Sequence, residues 1–137
     1  MRNSRQVLYP DDVADSDIVI PGKKTRAKSP EWKLQAAAVK LVRAKMRVDK
    51  DLRYITPMAE AARTPQRAAI AKMMGLQRGV PDMWLMRPRE MCIVEFKTPL
   101  AQLNAEQLDW FAWFSAWGIA CHRCDSLDQF RAILAAF

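Results

Sequence analysis

Two apolar runs, Met83 to Arg87 and Met91 to Lys97, flank Pro88-Arg89-Glu90, and this arrangement constrains the chain more than any other feature. A short polar interval carrying a proline between two such runs predicts a hairpin. Pairing about the 88/89 midpoint sets Asp82 opposite Glu95. Strand side chains alternate between faces, so Glu95 and Lys97 share one face while Phe96 points to the other, into packing. Opposed side chains in an antiparallel pair have Cβ atoms about 4.5–5.5 Å apart, so the two carboxylates repel unless a proton or a cation sits between them. A divalent metal resolves the repulsion. Hard Mg²⁺ takes carboxylate, carbonyl and water oxygens and keeps waters that can attack phosphorus, with Lys97 beside that water or the scissile phosphate. Gly79-Val80-Pro81-Asp82 followed thirteen positions later by Glu95-Phe96-Lys97 can therefore build a metal-dependent phosphodiesterase. The same residues also fit a plainer pattern, in which Asp82 is a turn residue and Glu95 and Lys97 a solvated pair. Against it stand Cys92, Ile93, Val94 and Phe96, a nearly continuous apolar run of the kind buried on both sides, where an unpaired Glu or Lys is costly.

The remaining elements follow from local signals. Ser29-Pro30 supplies an N-cap and a first-turn proline for a helix through about Val48. Glu31 falls in its first turn, where the helix dipole favours a carboxylate and where a metal-site role is equally open, and Gln35 lies one turn on. Leu52 to Thr56 reads as a first strand ending at Pro57, and a helix from about Pro65 to Met74 stops at Gly75. Asn104 stands three residues before Gln107, which is capping-box spacing, so Gln107 either caps the helix through Trp117 or faces a site. Trp110, Phe111, Trp113, Phe114 and Trp117 load that helix with aromatics on more than one face. Most are expected in the core, and the surplus suggests a second buried surface such as a dimer interface. Ile119 to Arg123 reads as a short strand, and Ser126-Leu127-Asp128-Gln129 caps a last helix carrying Phe130, Ile133, Leu134 and Phe137. Helix, strand, helix, hairpin, helix, strand, helix predicts an α/β domain with a central mixed β-sheet flanked by α-helices and an active site at the sheet edge.

Several blocks, in order, resemble a known family. These are Glu31-Trp32-Lys33-Leu34-Gln35, Met74-Gly75-Leu76-Gln77-Arg78-Gly79-Val80-Pro81-Asp82, Glu95-Phe96-Lys97, and Leu103-Asn104-Ala105-Glu106-Gln107 leading into the aromatic helix and Gly118. They resemble the VRR-NUC domains, a branch of the PD-(D/E)xK nucleases with a restriction-endonuclease-like and Holliday-junction-resolvase-like core, over roughly residues 29–137. The resemblance implies that Asp82, Glu95 and Lys97 are the catalytic triplet, that the Phe96 backbone carbonyl is a further metal ligand, Glu31 an auxiliary acid at the metal, and Gln107 a site-facing residue. It implies Mg²⁺ or Mn²⁺ as cofactor, branched DNA as substrate, and a homodimer. The Asn that the family often carries in the segment matching Tyr54 to Arg67 is absent; Arg63 and Arg67 remain, and with Arg78 they are the expected DNA contacts. Two further readings stay open, a non-cleaving DNA-binding module on a nuclease-like fold and a nuclease acting on flaps or linear duplex. A scaffold protein using the aromatic helix is a third.

Charge bears on the partner. The net charge is +7, and residues 23–53 hold eleven Lys or Arg against three acids. Such a field suits a polyanion with salt-sensitive binding, although a solvated helix face is the commoner source of such a run. Residues 1–28, with Asp11, Asp12, Asp15 and Asp17 and then a basic run, read as a flexible or partner-contacting arm, and 29–137 as the nuclease-like domain. No apolar run is long enough to span a bilayer and the N-terminus lacks a signal-peptide core, so a soluble, intracellular protein is expected, cytoplasmic or in a host-cell cytoplasm if viral. Three cysteines fit a reducing compartment. Cys121-His122-Arg123-Cys124 invites a zinc reading, but only distant Cys92 could add a fourth ligand, and Cys121 and His122 point to opposite strand faces.

Overall fold

The computed structural model describes residues 30–57 and 64–137; the expected arm over 1–28, the Ser29 cap and Arg63 lie outside them. Helix α1 spans Pro30–Val48, strand β1 Arg53–Ile55, α2 Pro65–Met73, β2 Met83–Arg87, β3 Glu90–Phe96, α3 Ala105–Ala116, β4 Ala120–Cys124 and α4 Leu127–Ala136. The four strands form one mixed sheet in the order β1-β2-β3-β4, antiparallel except for the parallel β3–β4 pair. The α/β architecture with a mixed sheet flanked by helices is thus as expected from the sequence.

The hairpin pairs Arg87 with Glu90 and Met83 with Val94, the register that places Asp82 across from Glu95. Its turn is tighter than expected. Glu90 belongs to the strand, and Pro88-Arg89 alone turn the chain, with Arg89 at φ 68. Proline at the second turn position and a positive φ at the third are the pattern of a type II turn. β1 is shorter than Leu52 to Thr56, and β4 starts and ends one residue later than Ile119 to Arg123.

One face of the sheet carries the main core. Met83 and Leu85 from β2, Cys92, Val94 and Phe96 from β3, and Cys124 from β4 are buried against Ala38 and Val42 of α1 and Phe130 and Leu134 of α4. Phe96 and Phe130 pack at 5.7 Å between ring centroids; each full burial of such a side chain is worth about 1.5–3 kcal/mol. Lys45 of α1 donates to the Leu134 carbonyl, tying the two helices together. The alternate residues of the same strands face α3, where Trp84 meets Phe114 edge-on at 5.4 Å and Ile93 is fully buried. Strand β3 is covered on both sides, as its unbroken apolar run requires.

The aromatic helix departs from expectation. Of its five aromatics only Phe114 is buried, at 3 % exposure, while Trp113 and Trp117 are 53 % and 70 % exposed; Trp110 and Phe111 are half-buried. Helix α3 packs chiefly beside β4, so Phe114 reaches the sheet while Trp110, Trp113 and Trp117 form an outward ladder, with neighbouring centroids 5.9 Å apart. Helix α2 buries none of its residues, and Ile70, Met73 and Met74 around its end are exposed. Among the described residues no helix is long and apolar enough to cross a membrane.

Candidate active site

Asp82 immediately precedes β2, Glu95 is the penultimate residue of β3, and Lys97 follows it. The three therefore meet at one end of the two central strands, where the sequence led to a site at the sheet edge. Asp82 and Glu95 are laced through the backbone: the Asp82 N–H donates to Glu95 Oε2 at 3.2 Å, and the Phe96 N–H donates to Asp82 Oδ2 at 2.9 Å. This reciprocal pair continues the hairpin ladder with side chains in place of carbonyls. Lys97 Nζ lies 3.6 Å from Glu95 Oε1, on the same face as strand alternation predicts, and the Lys97 N–H donates to the Cys124 carbonyl at 2.9 Å, carrying the parallel pairing one residue beyond β3.

Glu95 is 3 % exposed, the one buried charged residue among those described. Burial and then the neighbouring Asp82 charge push its carboxyl up to about 8, against partial relief from Lys97. Burial also raises Asp82, which Glu31 pushes further up while the Phe96 N–H and Lys97 pull it back. Two acids thus share a site in which both cannot ionise without cost, and the remaining Asp82 oxygen, Oδ1, accepts no hydrogen bond among the described residues. Hard oxygen donors in a buried, like-charged pair are a fitting donor set for Mg²⁺ or Mn²⁺.

Glu31 reaches the site from the first turn of α1. Its Oε1 accepts the Thr98 N–H at 3.3 Å, and its charge is felt by Asp82. Among the described residues no three His, Cys, Asp or Glu side chains gather closely enough to hold an ion together, so the acids stand as a close pair with Glu31 beside it. Gln35 is half-buried. Cys92, Cys121 and Cys124 are free thiols.

Gln107 fills both roles that its spacing left open. Its Oε1 accepts the Asn104 N–H at 3.0 Å, completing a capping box with the Gln107 N–H donating to Asn104 Oδ1 at 2.9 Å. Its Nε2 meanwhile donates to Glu95 Oε1. The start of α3 is held against the site by Gly79. A Cβ there would lie 2.7 Å from the Glu106 carbonyl carbon, and its φ of 74 is left-handed; only glycine suits both demands. One turn further along α3, Trp110 Nε1 donates to the Arg78 carbonyl at 3.0 Å. Arg78 lines an open groove of about 860 Å³ with Glu106, Asp109, Trp110 and Trp113, which does not include the acid pair. Arg67 is exposed on α2, where its N–H donates to the Thr64 cap.

Arg123 was not picked out from the sequence. Its strand neighbour is Glu95, and its guanidinium donates to the carbonyls of Thr98 at 2.9 Å, Pro99 at 3.1 Å and Ala101 at 2.7 Å, while pairing with Asp125 at 2.8 Å. The fork thereby fixes the segment that follows Lys97 and receives Glu31. Apart from Asp125, nothing local marks it, because its carbonyl partners lie 22 to 25 residues away in sequence.

Compared with protein-family models, with curated proteins and with solved structures, the chain matches none of them.

Proposed function

We propose that this chain is a metal-dependent deoxyribonuclease of PD-(D/E)xK type, hydrolysing phosphodiester bonds as an endonuclease with a preference for branched DNA such as Holliday junctions, and acting as a homodimer. The observation that carries the reading is the convergence of Asp82, Glu95 and Lys97 at one end of the two central strands, with Glu95 raised by burial and the Asp82 charge, and Asp82 by burial and the Glu31 charge. Asp82, Glu95 and the Phe96 backbone carbonyl would hold Mg²⁺ or Mn²⁺, with Glu31 alongside. The ion when bound supplies Lewis acidity toward the phosphate and lowers the pKa of a coordinated water. The chain's own groups do the rest. Lys97 carries a positive charge on the acid-bearing face, where it can orient the attacking water and offset charge on the phosphorane-like transition state. Gln107 fixes the rotamer of Glu95 through Oε1, and the two backbone N–H donors hold the acids in register.

A second reading, a DNA-binding module that does not cut, draws on the absence of a three-ligand group among the described residues. Both are tested by incubating a labelled four-way junction, a flap, a linear duplex and a single strand with Mg²⁺ or Mn²⁺, beside Lys97→Ala. Metal-dependent cleavage lost in Lys97→Ala and in EDTA is the expected result. No cutting of any substrate leaves the binding module as the surviving account.

A further inference from the structure

The outer face of α1 is built almost wholly from cations and alanines. Ala38 and Val42, both fully buried, define the inward side. At 3.6 residues per turn Lys33, Lys40 and Arg47, spaced by seven, fall on the opposite side within about 40° of one another, with Arg43 next to them. All four are exposed. Between them the helix presents Ala36 and Ala44, short side chains that let an extended partner approach the helix closely. The only acid in α1 is Glu31, and it is turned the other way, onto Thr98.

We infer that this face is a track for the phosphate backbone of a DNA duplex, a binding site separate from the acid pair. From Lys33 to Arg47 it runs about 21 Å at 1.5 Å per residue, a length along which B-DNA presents about twelve phosphates. Cations recurring along one side of the helix complement that repeating charge. A bilayer surface fits less well, since a helix lying in a membrane interface needs a continuous apolar face below its cations, and here that side, with Ala38 and Val42, is packed in the core, leaving only Trp32 and Val48 as exposed large apolar side chains. The track begins within one turn of Glu31, and so at the active-site end of α1, but on the opposite side of the helix from the acids. A duplex lying on it reaches Asp82 and Glu95 only by turning over that end. The track therefore suits DNA that bends or branches at the scissile phosphate; in naming that substrate it rests on the nuclease reading, whereas the binding itself does not.

The test is equilibrium binding of the full chain in EDTA to a labelled four-way junction and to one of its linear arms across a salt series. It compares wild type, Lys33→Gln/Lys40→Gln/Arg47→Gln, and the charge-keeping Lys33→Arg/Lys40→Arg/Arg47→Lys. Each neutralised contact contributes about 0.9 to the log–log salt slope, so the Gln variant should lose about 2.7. Between about 50 and 200 mM salt, wild-type affinity for the junction then falls about 40-fold more than that of the variant. The charge-keeping variant retains the wild-type slope. An unchanged slope in the Gln variant overturns the inference, as does charge-dependent binding to phosphatidylserine vesicles without binding to DNA. Loss of slope in a protein that never cleaves sinks the nuclease reading and leaves the track. Cleavage by wild type with an unchanged slope does the reverse.

Discussion

Replacing Glu95 by Gln should abolish the loss of stability with rising pH that this carboxyl imposes. In the fold the Glu95 carboxyl holds its proton up to about 8, against an ordinary value of 4.5. Below about pH 4.5 both folded and unfolded chains are protonated there and stability does not depend on this group. Between 4.5 and 8 the unfolded chain releases a proton that the folded chain keeps, so stability falls as pH rises, by about 1.4 kcal/mol per unit. Above 8 both states are ionised and the loss is complete. From 4.5 to neutrality this amounts to about 3 kcal/mol, in EDTA so that no divalent ion offsets it. Gln removes the titration but sets a donor where Glu95 accepts from the Asp82 N–H on one oxygen and from Gln107 on the other, a cost of about 1–2 kcal/mol. The variant should therefore be the less stable protein near pH 5 and the more stable one near pH 8, and the two curves should cross between. Urea unfolding followed by the fluorescence of the five tryptophans reads this directly. Parallel curves, or a variant weaker than wild type at both ends, would refute the account of Glu95 as a buried acid in a repulsive pair. Near pH 8, Mn²⁺ should stabilise wild type and not the variant, by about 2.7 kcal/mol at a hundred times its dissociation constant.

Three further outcomes follow from named contacts. Gly79→Ala should destabilise by about 2–4 kcal/mol in denaturant unfolding, since its Cβ meets the Glu106 backbone at 2.7 Å and its φ is left-handed. Asn104→Ala should cost about 1 kcal/mol of stability from the lost cap and, by loosening Gln107 from Glu95, should also slow cleavage, which a purely structural cap would leave alone. Arg123→Lys should lower cleavage with the acids and Lys97 intact, because a single ammonium cannot span three carbonyls and Asp125; wild-type turnover in this variant would remove Arg123 from the site.

The hairpin register was legible because alternation, a proline turn and a buried central strand all specify the same pairing, and a slip of one residue would turn Glu95 and Phe96 to the wrong faces. Caps were legible for a related reason. Asn104 and Ser126 act within three residues of themselves, so their partners are visible in the same window of sequence. What escaped was whatever depends on distant packing. The α3 aromatics look like core in a window of twelve residues, yet only Phe114 finds the sheet, since periodicity cannot say how much of a face a neighbouring element covers. Arg123 escaped because a lone arginine on a strand carries no sign of the loop it will hold. The position of the site, at the strand ends instead of the sheet edge, became clear only once β4 was found pairing beside β3, leaving β3 central.

The double engagement of Gln107 has an effect on how the protein can breathe. One side-chain amide closes the first turn of α3 with its oxygen and steadies Glu95 with its nitrogen. Fraying of that turn, an ordinary event at any helix end, releases Glu95 in the same motion and admits water to the acid pair. Opening of the helix terminus and the ionisation of the buried carboxyl then share one rate. Protection of the Gln107 and Asp82 amides, measured against their intrinsic exchange rates, should fall together as pH rises.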